Sequence, residues 1–139
     1  MKGHLLDANI LIALAWPNHT HHARAHAWFQ AQQSGGWGTC MVTELAFVRV
    51  SSNPMVQHHV SPQAAHAQLL RIRALAGHFF ADEPRQGFAE AEFAKTLPNT
   101  LTHHLVTDAY LATLASLHGL RLVTFDRELA RVFRGIVLI

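Results

Sequence analysis

Short, almost wholly apolar runs recur along the chain with helical stretches between them, and this alternation constrains the fold more than any other feature. His4-Leu5-Leu6, Trp37 to Val42, His78-Phe79-Phe80, Leu120 to Phe125 and Ile136 to Ile139 read as strands. Their apolar residues are continuous rather than alternating, as expected of strands buried on both faces. The stretches between them carry helix signals. Pro17 interrupts a helix opening at Ile10 to Trp16, and Thr20 to about Gln33 forms a second. A helical turn or two follows Glu44, up to Asn53-Pro54. Ser61-Pro62 caps a helix that Gly77 closes, and Gly87 to Leu97 is a short helix. Thr107-Asp108 opens a largely apolar helix that Gly119 terminates, and Glu128 to Phe133 is the last. Strands joined by helices need right-handed crossovers, so the expected class is α/β, with helices on both faces of a mainly parallel sheet of about five strands.

A chain of 139 residues makes one such domain, spanning residues 1–139, and half of it is apolar with 14% charged. That composition excludes disorder, a charged coiled coil and a charged tail. Cys40 is the only cysteine, so no internal disulfide exists, and a small buried apolar residue in a cytoplasmic protein is expected there. No apolar run reaches the roughly 20 residues of a bilayer span, and Asp7 and Asn9 interrupt the N-terminal apolar run. The net charge of +2 permits an anionic partner without requiring one.

In open parallel sheets ligands bind outside the carboxyl ends of the strands, and four of the nine acidic residues are found in such places. Asp7, Glu44 and Asp126 each follow an apolar run, and Asp108 lies in the first turn of the most apolar helix. Singly, Asp108 fits a helix dipole and Asp126 a helix cap. Glu44 at a strand end has no such explanation. Together they would repel one another if they converge, and a divalent cation would relieve the repulsion. Hard oxygen donors in that number suit Mg²⁺ or Mn²⁺, able to polarise a phosphodiester and lower the pKa of a bound water.

The blocks around these acids are Leu-Leu-Asp7-Ala-Asn9-Ile-Leu-Ile, Val-Thr43-Glu44-Leu-Ala-Phe-Val-Arg49, Val-Thr-Asp108-Ala-Tyr-Leu-Ala-Thr-Leu-Ala and Leu-Val-Thr124-Phe-Asp126-Arg. In order and spacing they resemble the four motif blocks of the PIN-domain ribonucleases, over nearly the whole chain. More narrowly, Ala13 to His19, Trp37 to Cys40 and Phe47 to Pro54 resemble the VapC toxins of VapBC toxin-antitoxin modules. The resemblance implies a three-layer α/β/α fold with Asp7, Glu44, Asp108 and Asp126 holding Mg²⁺ or Mn²⁺. It implies Asn9, Thr43 and Thr124 as polar residues orienting the acids. It also implies an endoribonuclease acting on RNA such as tRNA or rRNA, a VapB-like antitoxin and a homodimer, with Ile10 to Trp28 contributing to association. A PIN nuclease of RNA processing without an antitoxin and a non-catalytic RNA-binding module are the alternatives. A phosphatase-like module is disfavoured, because Asn9 stands where a D-x-D motif needs its second Asp.

Among the basic residues, Arg49 and Arg127 lie close in sequence to quartet acids, and are expected either to meet RNA phosphates or to form ion pairs orienting those acids. His22 and His26 have a zinc-compatible spacing but no accompanying Glu or Cys, and a solvated helix face is expected. His103-His104 precedes Asp108 and reads as loop surface near a phosphate path. Trp16, Trp28 and Trp37 could stack on bases, but Trp28-Phe29 reads as core or dimer surface.

Overall fold

The computed structural model describes residues 3–139. Five strands, β1 (His4–Leu6), β2 (Trp37–Thr39), β3 (His78–Phe80), β4 (Arg121–Thr124) and β5 (Val137–Leu138), form one sheet in the order β3-β2-β1-β4-β5. Every pairing is parallel, with Leu5 facing Gly38 on one side and Leu122 on the other. The helices are α1 (Ala8–Ala15), α2 (His22–Gln32), α3 (Met41–Ser51), α4 (Pro62–Arg73), α5 (Glu92–Thr96), α6 (Val106–Leu117) and α7 (Arg127–Val132). The expected α/β architecture is the observed one.

Pleating decides which layer each strand residue serves. Leu6 and Val123 point into a core with Trp37 of β2 and with Ile10, Leu11, Phe29, Phe47, Leu69 and Ile72, drawn from α1 to α4. Their neighbours Leu5 and Leu122 point the other way, into a core with Leu111, Leu114 and Leu129 from α6 and α7 and Leu120 just before β4. Both faces of β1 are therefore dry, and Leu5 and Leu6 are fully buried. The chain runs from β1 outward to β2 and β3, then returns to place β4 on the other side of β1. The switch point between β1 and β4 opens the crevice in which such sheets bind ligands.

Three expectations shift at this level. The run Trp37 to Val42 is a strand only as far as Thr39, because Cys40 turns into an N-cap and Met41 already begins α3. The Thr43 hydroxyl accepts from the Cys40 amide and donates to the Cys40 carbonyl, both at 3.1 Å, which closes the first turn. The turn or two expected after Glu44 is consequently an 11-residue helix with Glu44 inside its first turn. The helix expected over Gly87 to Leu97 divides into a single 3₁₀ turn at Gly87–Ala89 and the short α5. In the segment expected to serve association, Ile10, Leu11 and Ala13 are wholly buried, while Ile12, Leu14, Trp16 and Trp28 keep partial exposure. Exposed apolar side chains lie elsewhere, on Met41, Leu45, Leu70 and Phe88 among others. Among the described residues no helix is long and apolar enough to cross a membrane.

The other sequence signals keep their places. Ser61 Oγ accepts from the Ala64 amide at 3.0 Å, Gly119 closes α6 at φ +68° where a side chain would be strained, and Cys40 is fully buried. Gly38 has a different necessity. A Cβ there would lie 2.4 Å from the Phe79 ring on the neighbouring strand. Gly38→Ala is expected to lower stability by about 1–3 kcal/mol through this overlap, read as a lower midpoint of urea unfolding with an unchanged m-value.

Candidate active site

Two of the acids are set by helix starts at the switch point. Asp7 leaves β1 as the N-cap of α1, its Oδ1 accepting from the Ala8 amide at 2.7 Å. Asp126 leaves β4 as the N-cap of α7, its Oδ1 accepting from the Glu128 and Leu129 amides at 2.9 and 3.2 Å. The Thr124 hydroxyl joins the two ends. It donates to Asp7 Oδ2 at 2.7 Å and accepts from Asn9 Nδ2 and the Asp126 amide, each at 3.0 Å. A hydroxyl has one proton and two lone pairs, so Thr124 is saturated. Asn9 Oδ1 also accepts from the Phe125 amide, at 3.4 Å. Of the three polar residues expected beside the acids, Thr124 binds Asp7 directly and Asn9 acts through Thr124. The Thr43 hydroxyl is spent on the cap of α3.

Asp108 comes from the first turn of α6. Burial first, then the charges of Asp7, Asp126 and Glu128, push its carboxyl up to about 6, with His104 pulling the other way. Asp7 is raised too, chiefly by burial and further by Asp126, while its hydrogen bonds from Thr124 and Ala8 oppose the shift. The three aspartates therefore share one electrostatic neighbourhood. Among the described residues no three His, Cys, Asp or Glu side chains are gathered closely enough to hold an ion as they stand.

Glu44 is held differently. It is 4% exposed, and Arg73 at the end of α4 brings Nη1 to 3.1 Å from Oε1. The alignment is not that of a hydrogen bond, so Oε1 has charge compensation but no donor. Burial raises the Glu44 carboxyl and outweighs the Arg73 guanidinium and the Thr39 hydroxyl, which lower it. The same guanidinium lies 5.3 Å from the centre of the Phe80 ring. Sequence reasoning missed Arg73, which lies far along the chain in another helix. Its only signal was a basic residue in the last turn of α4.

Arg49 and Arg127 are both exposed, and among the described residues neither forms an ion pair. Arg24, missed as a site residue, lies 4.8 Å over the Phe125 ring next to Asp126, with the His21 ring on the same phenylalanine. His104 Nε2 meets Glu128 Oε1 at 2.9 Å rather than standing free. His22 uses Nδ1 on the Ala13 carbonyl at 2.8 Å, and its ring lies 5.7 Å from that of His26. The tryptophans are engaged inside. Trp37 is buried with Nε1 donating to the Ala76 carbonyl, Trp16 stacks on Phe47, and Trp28 packs edge-on against His4. A cavity of about 460 Å³ is lined mainly by residues of α5, α6 and the end of α7, and by none of the four acids.

Carboxylates bracketing the switch point of a parallel sheet define a class, the hydrolases that handle phosphate esters with acidic side chains. Residues 4–134 match the PIN domain model, and the chain belongs to the PIN-domain family. It is 47% identical over 128 residues to Ribonuclease VapC39 of Mycobacterium tuberculosis, covering 91% of this chain and 90% of that one. The crystal structure of Mycobacterium tuberculosis VapC20, described as a Sarcin-Ricin loop cleaving toxin, superposes with a TM-score of 0.72 at 14% identity over 98% of each chain. VapBC2 from Rickettsia felis, bound to a promoter DNA fragment, superposes at 0.66 with 12% identity over 99% of this chain and 97% of that one.

The site generates two expectations. Asp108, an acid with a raised pKa, binds its proton more tightly folded than unfolded. Stability should therefore be greatest below about pH 4 as far as this group is concerned, and decline as pH rises from there through about 6. Asp108→Asn should flatten that part of the profile and raise metal-free stability at pH 7 by about 1 kcal/mol, a figure reduced for solvent screening. Urea melts at several pH values in EDTA would read both effects. In contrast, Arg73→Ala leaves the buried Glu44 carboxylate without compensation and should cost about 1–3 kcal/mol. Adding Glu44→Gln to it should recover most of that loss, measured as a double-mutant cycle.

Proposed function

We propose that the protein is a metal-dependent endoribonuclease and the toxin of a type II toxin-antitoxin pair, with Asp7, Glu44, Asp108 and Asp126 as its acidic quartet. The observation carrying the chemistry is the elevation of Asp108 by burial and then by the charges of Asp7 and Asp126. A carboxylate whose pKa is raised by neighbouring carboxylates is an oxygen donor whose repulsion a cation removes. Glu44 adds an orphaned, buried Oε1. This donor set fits a hard divalent ion, Mg²⁺ or Mn²⁺. Bound there, such an ion would supply an activated water and charge stabilisation for the leaving 3′ oxygen.

The chain's own residues do the positioning. Thr124 fixes one oxygen of Asp7 and the Ala8 amide fixes the other, so Asp7 cannot rotate freely. Asp126 is anchored through one oxygen by two helix amides, which leaves Oδ2 available. Asp108, with a carboxyl near 6, is the member able to take up or release a proton near neutral pH. Arg49 and Arg127 are exposed donors for RNA phosphates, and Arg24 beside Phe125 extends that set. The likeness to VapC proteins supports RNA as the substrate, a VapB-like antitoxin as the partner and a homodimer as the assembly.

Cleavage of RNA should stop in excess EDTA and return with Mg²⁺ or Mn²⁺. Asp7→Asn, Asp108→Asn, Asp126→Asn and Glu44→Gln should each lower kcat at least about a hundredfold in folded protein. Products should carry 5′-phosphate and 3′-hydroxyl ends, and a 2′-deoxy substitution at the cleaved position should be tolerated. Cyclic 2′,3′-phosphate ends, or full activity in EDTA, would overturn the reading.

A further inference from the structure

The mechanism above positions a phosphate but leaves unexplained what holds the nucleotides beside it. A cavity of about 400 Å³ lies between the first turns of α3 and α6 and the loop that leaves β3, lined by Val42, Glu83, Phe88, Thr107 and Tyr110 among others. Its size is that of a small-ligand site. Thr107 shares a peptide bond with Asp108, and Val42 lies two positions before Glu44 in the same helical turn. The loop emerges from the carboxyl end of a parallel strand, the edge of the sheet at which the aspartates lie.

Its chemistry is aromatic with a few polar groups. Phe93 is buried, and Tyr110 stacks on it at 5.5 Å with 7° between the rings. Phe88 stands perpendicular to both, at 5.1 and 6.1 Å, yet is 60% exposed. A large aromatic residue thus stays in water on a rigid aromatic footing beside the acids. Glu83 and Tyr110 line the same cavity, and Glu83 is exposed. A phenol keeps its proton at neutral pH, so the Tyr110 hydroxyl is a donor and the Glu83 carboxylate an acceptor. Unstacked RNA bases are bound by this combination, an aromatic face plus hydrogen bonds to the base edge.

We propose that this cavity is a nucleobase pocket, in which an unstacked base next to the scissile phosphate lies against Phe88 and offers an exocyclic amino group to Glu83 and an acceptor to the Tyr110 hydroxyl. The proposal rests on the ribonuclease reading and extends it to specificity. Adenine, cytosine and guanine carry the amino group that a carboxylate accepts, and uracil does not. Glu83 repels a phosphate, so the pocket receives the base and not the backbone.

The test uses the full chain with Mn²⁺ and short single-stranded oligo(A), oligo(C) and oligo(U) RNAs, read by cleavage kinetics and by anisotropy of labelled RNA. Phe88→Ala should raise KM about tenfold or more, with the loss concentrated in KM, and Phe88→Trp should restore binding. Glu83→Gln should erase a preference of about tenfold for oligo(A) and oligo(C) over oligo(U). Leu75→Ala, at an exposed apolar residue just beyond the C-terminal end of α4, serves as the control and should leave KM in place. Circular dichroism and gel filtration accompany each variant. If wild-type protein cleaves RNA but Phe88→Ala and Glu83→Gln match it in KM and base preference, the pocket is overturned and the ribonuclease reading stands. If Phe88→Ala instead turns a dimer into a monomer with RNA affinity intact, the cavity is a protein interface and the proposal fails. A wild-type chain that cleaves none of these RNAs or a structured RNA with metal overturns both.

Discussion

Like charges brought together at one edge of a parallel sheet are the constraint on which the rest of this site depends. A carboxylate in an apolar setting loses solvation, and its neighbours' charges add to the cost. The fold meets that cost locally with hydrogen bonds. Asp7 and Asp126 are both N-caps, so peptide amides that a helix start would otherwise leave unpaired are directed at their oxygens. Asp108 has no such cap, and it is the group displaced furthest, to about 6. The single Thr124 hydroxyl couples β4 to the ends of β1 and α1 through Asp7 and Asn9. Because that hydroxyl is saturated, a shift in any one partner must be felt by the others.

Glu44 shows the second solution available to a buried acid, an internal cation. Arg73 bridges α4 to α3 while its guanidinium rests over Phe80, so charge and packing hold it together. The neighbouring His78 is pushed down to about 4 by burial and then by Arg73, and its Nε2 pairs with the Thr39 hydroxyl at 2.8 Å. It therefore stays neutral at physiological pH and adds no second positive charge. A divalent ion binding Glu44 would meet the charge of Arg73, so Arg73 must either move aside or share the carboxylate. The missing hydrogen-bond alignment between them suits release, because a half-satisfied pair holds less tightly than a bidentate one.

What could be read from the sequence follows the same physics. The aspartates were legible because carboxylates at the ends of apolar runs have few explanations, and the sheet was legible because its strands are apolar on both faces. Glu44 was expected at a strand end and lies instead inside a helix. Its helix begins at Met41, and the Cys40 cap that ends β2 is not a preferred capping residue, so no composition signal marked the boundary. An acid in a first turn is favoured by the helix dipole, hence the structural explanation withheld from Glu44 applies to it as well. The Glu44–Arg73 contact had no local signal, since it joins two helices across the Asn53 to Val60 loop. Within the Ile10 to Trp28 segment, hydrophobicity alone did not separate the core residues Ile10, Leu11 and Ala13 from the half-exposed Ile12, Leu14, Trp16 and Trp28.

The arrangement also explains why the acidic edge coexists with a dry, closely fitted interior. Gly38 admits the Phe79 ring, and Leu5 and Leu6 fill opposite layers from adjacent positions of one strand. Such a sheet has little freedom to let its strand ends drift apart, so Asp7 and the Thr124–Asp126 turn are held near one another despite their repulsion. Rigidity in the core is thus converted into electrostatic strain at the edge. That strain is relieved when a cation binds only the folded state, which makes metal affinity and folded-state stability two readings of the same free energy.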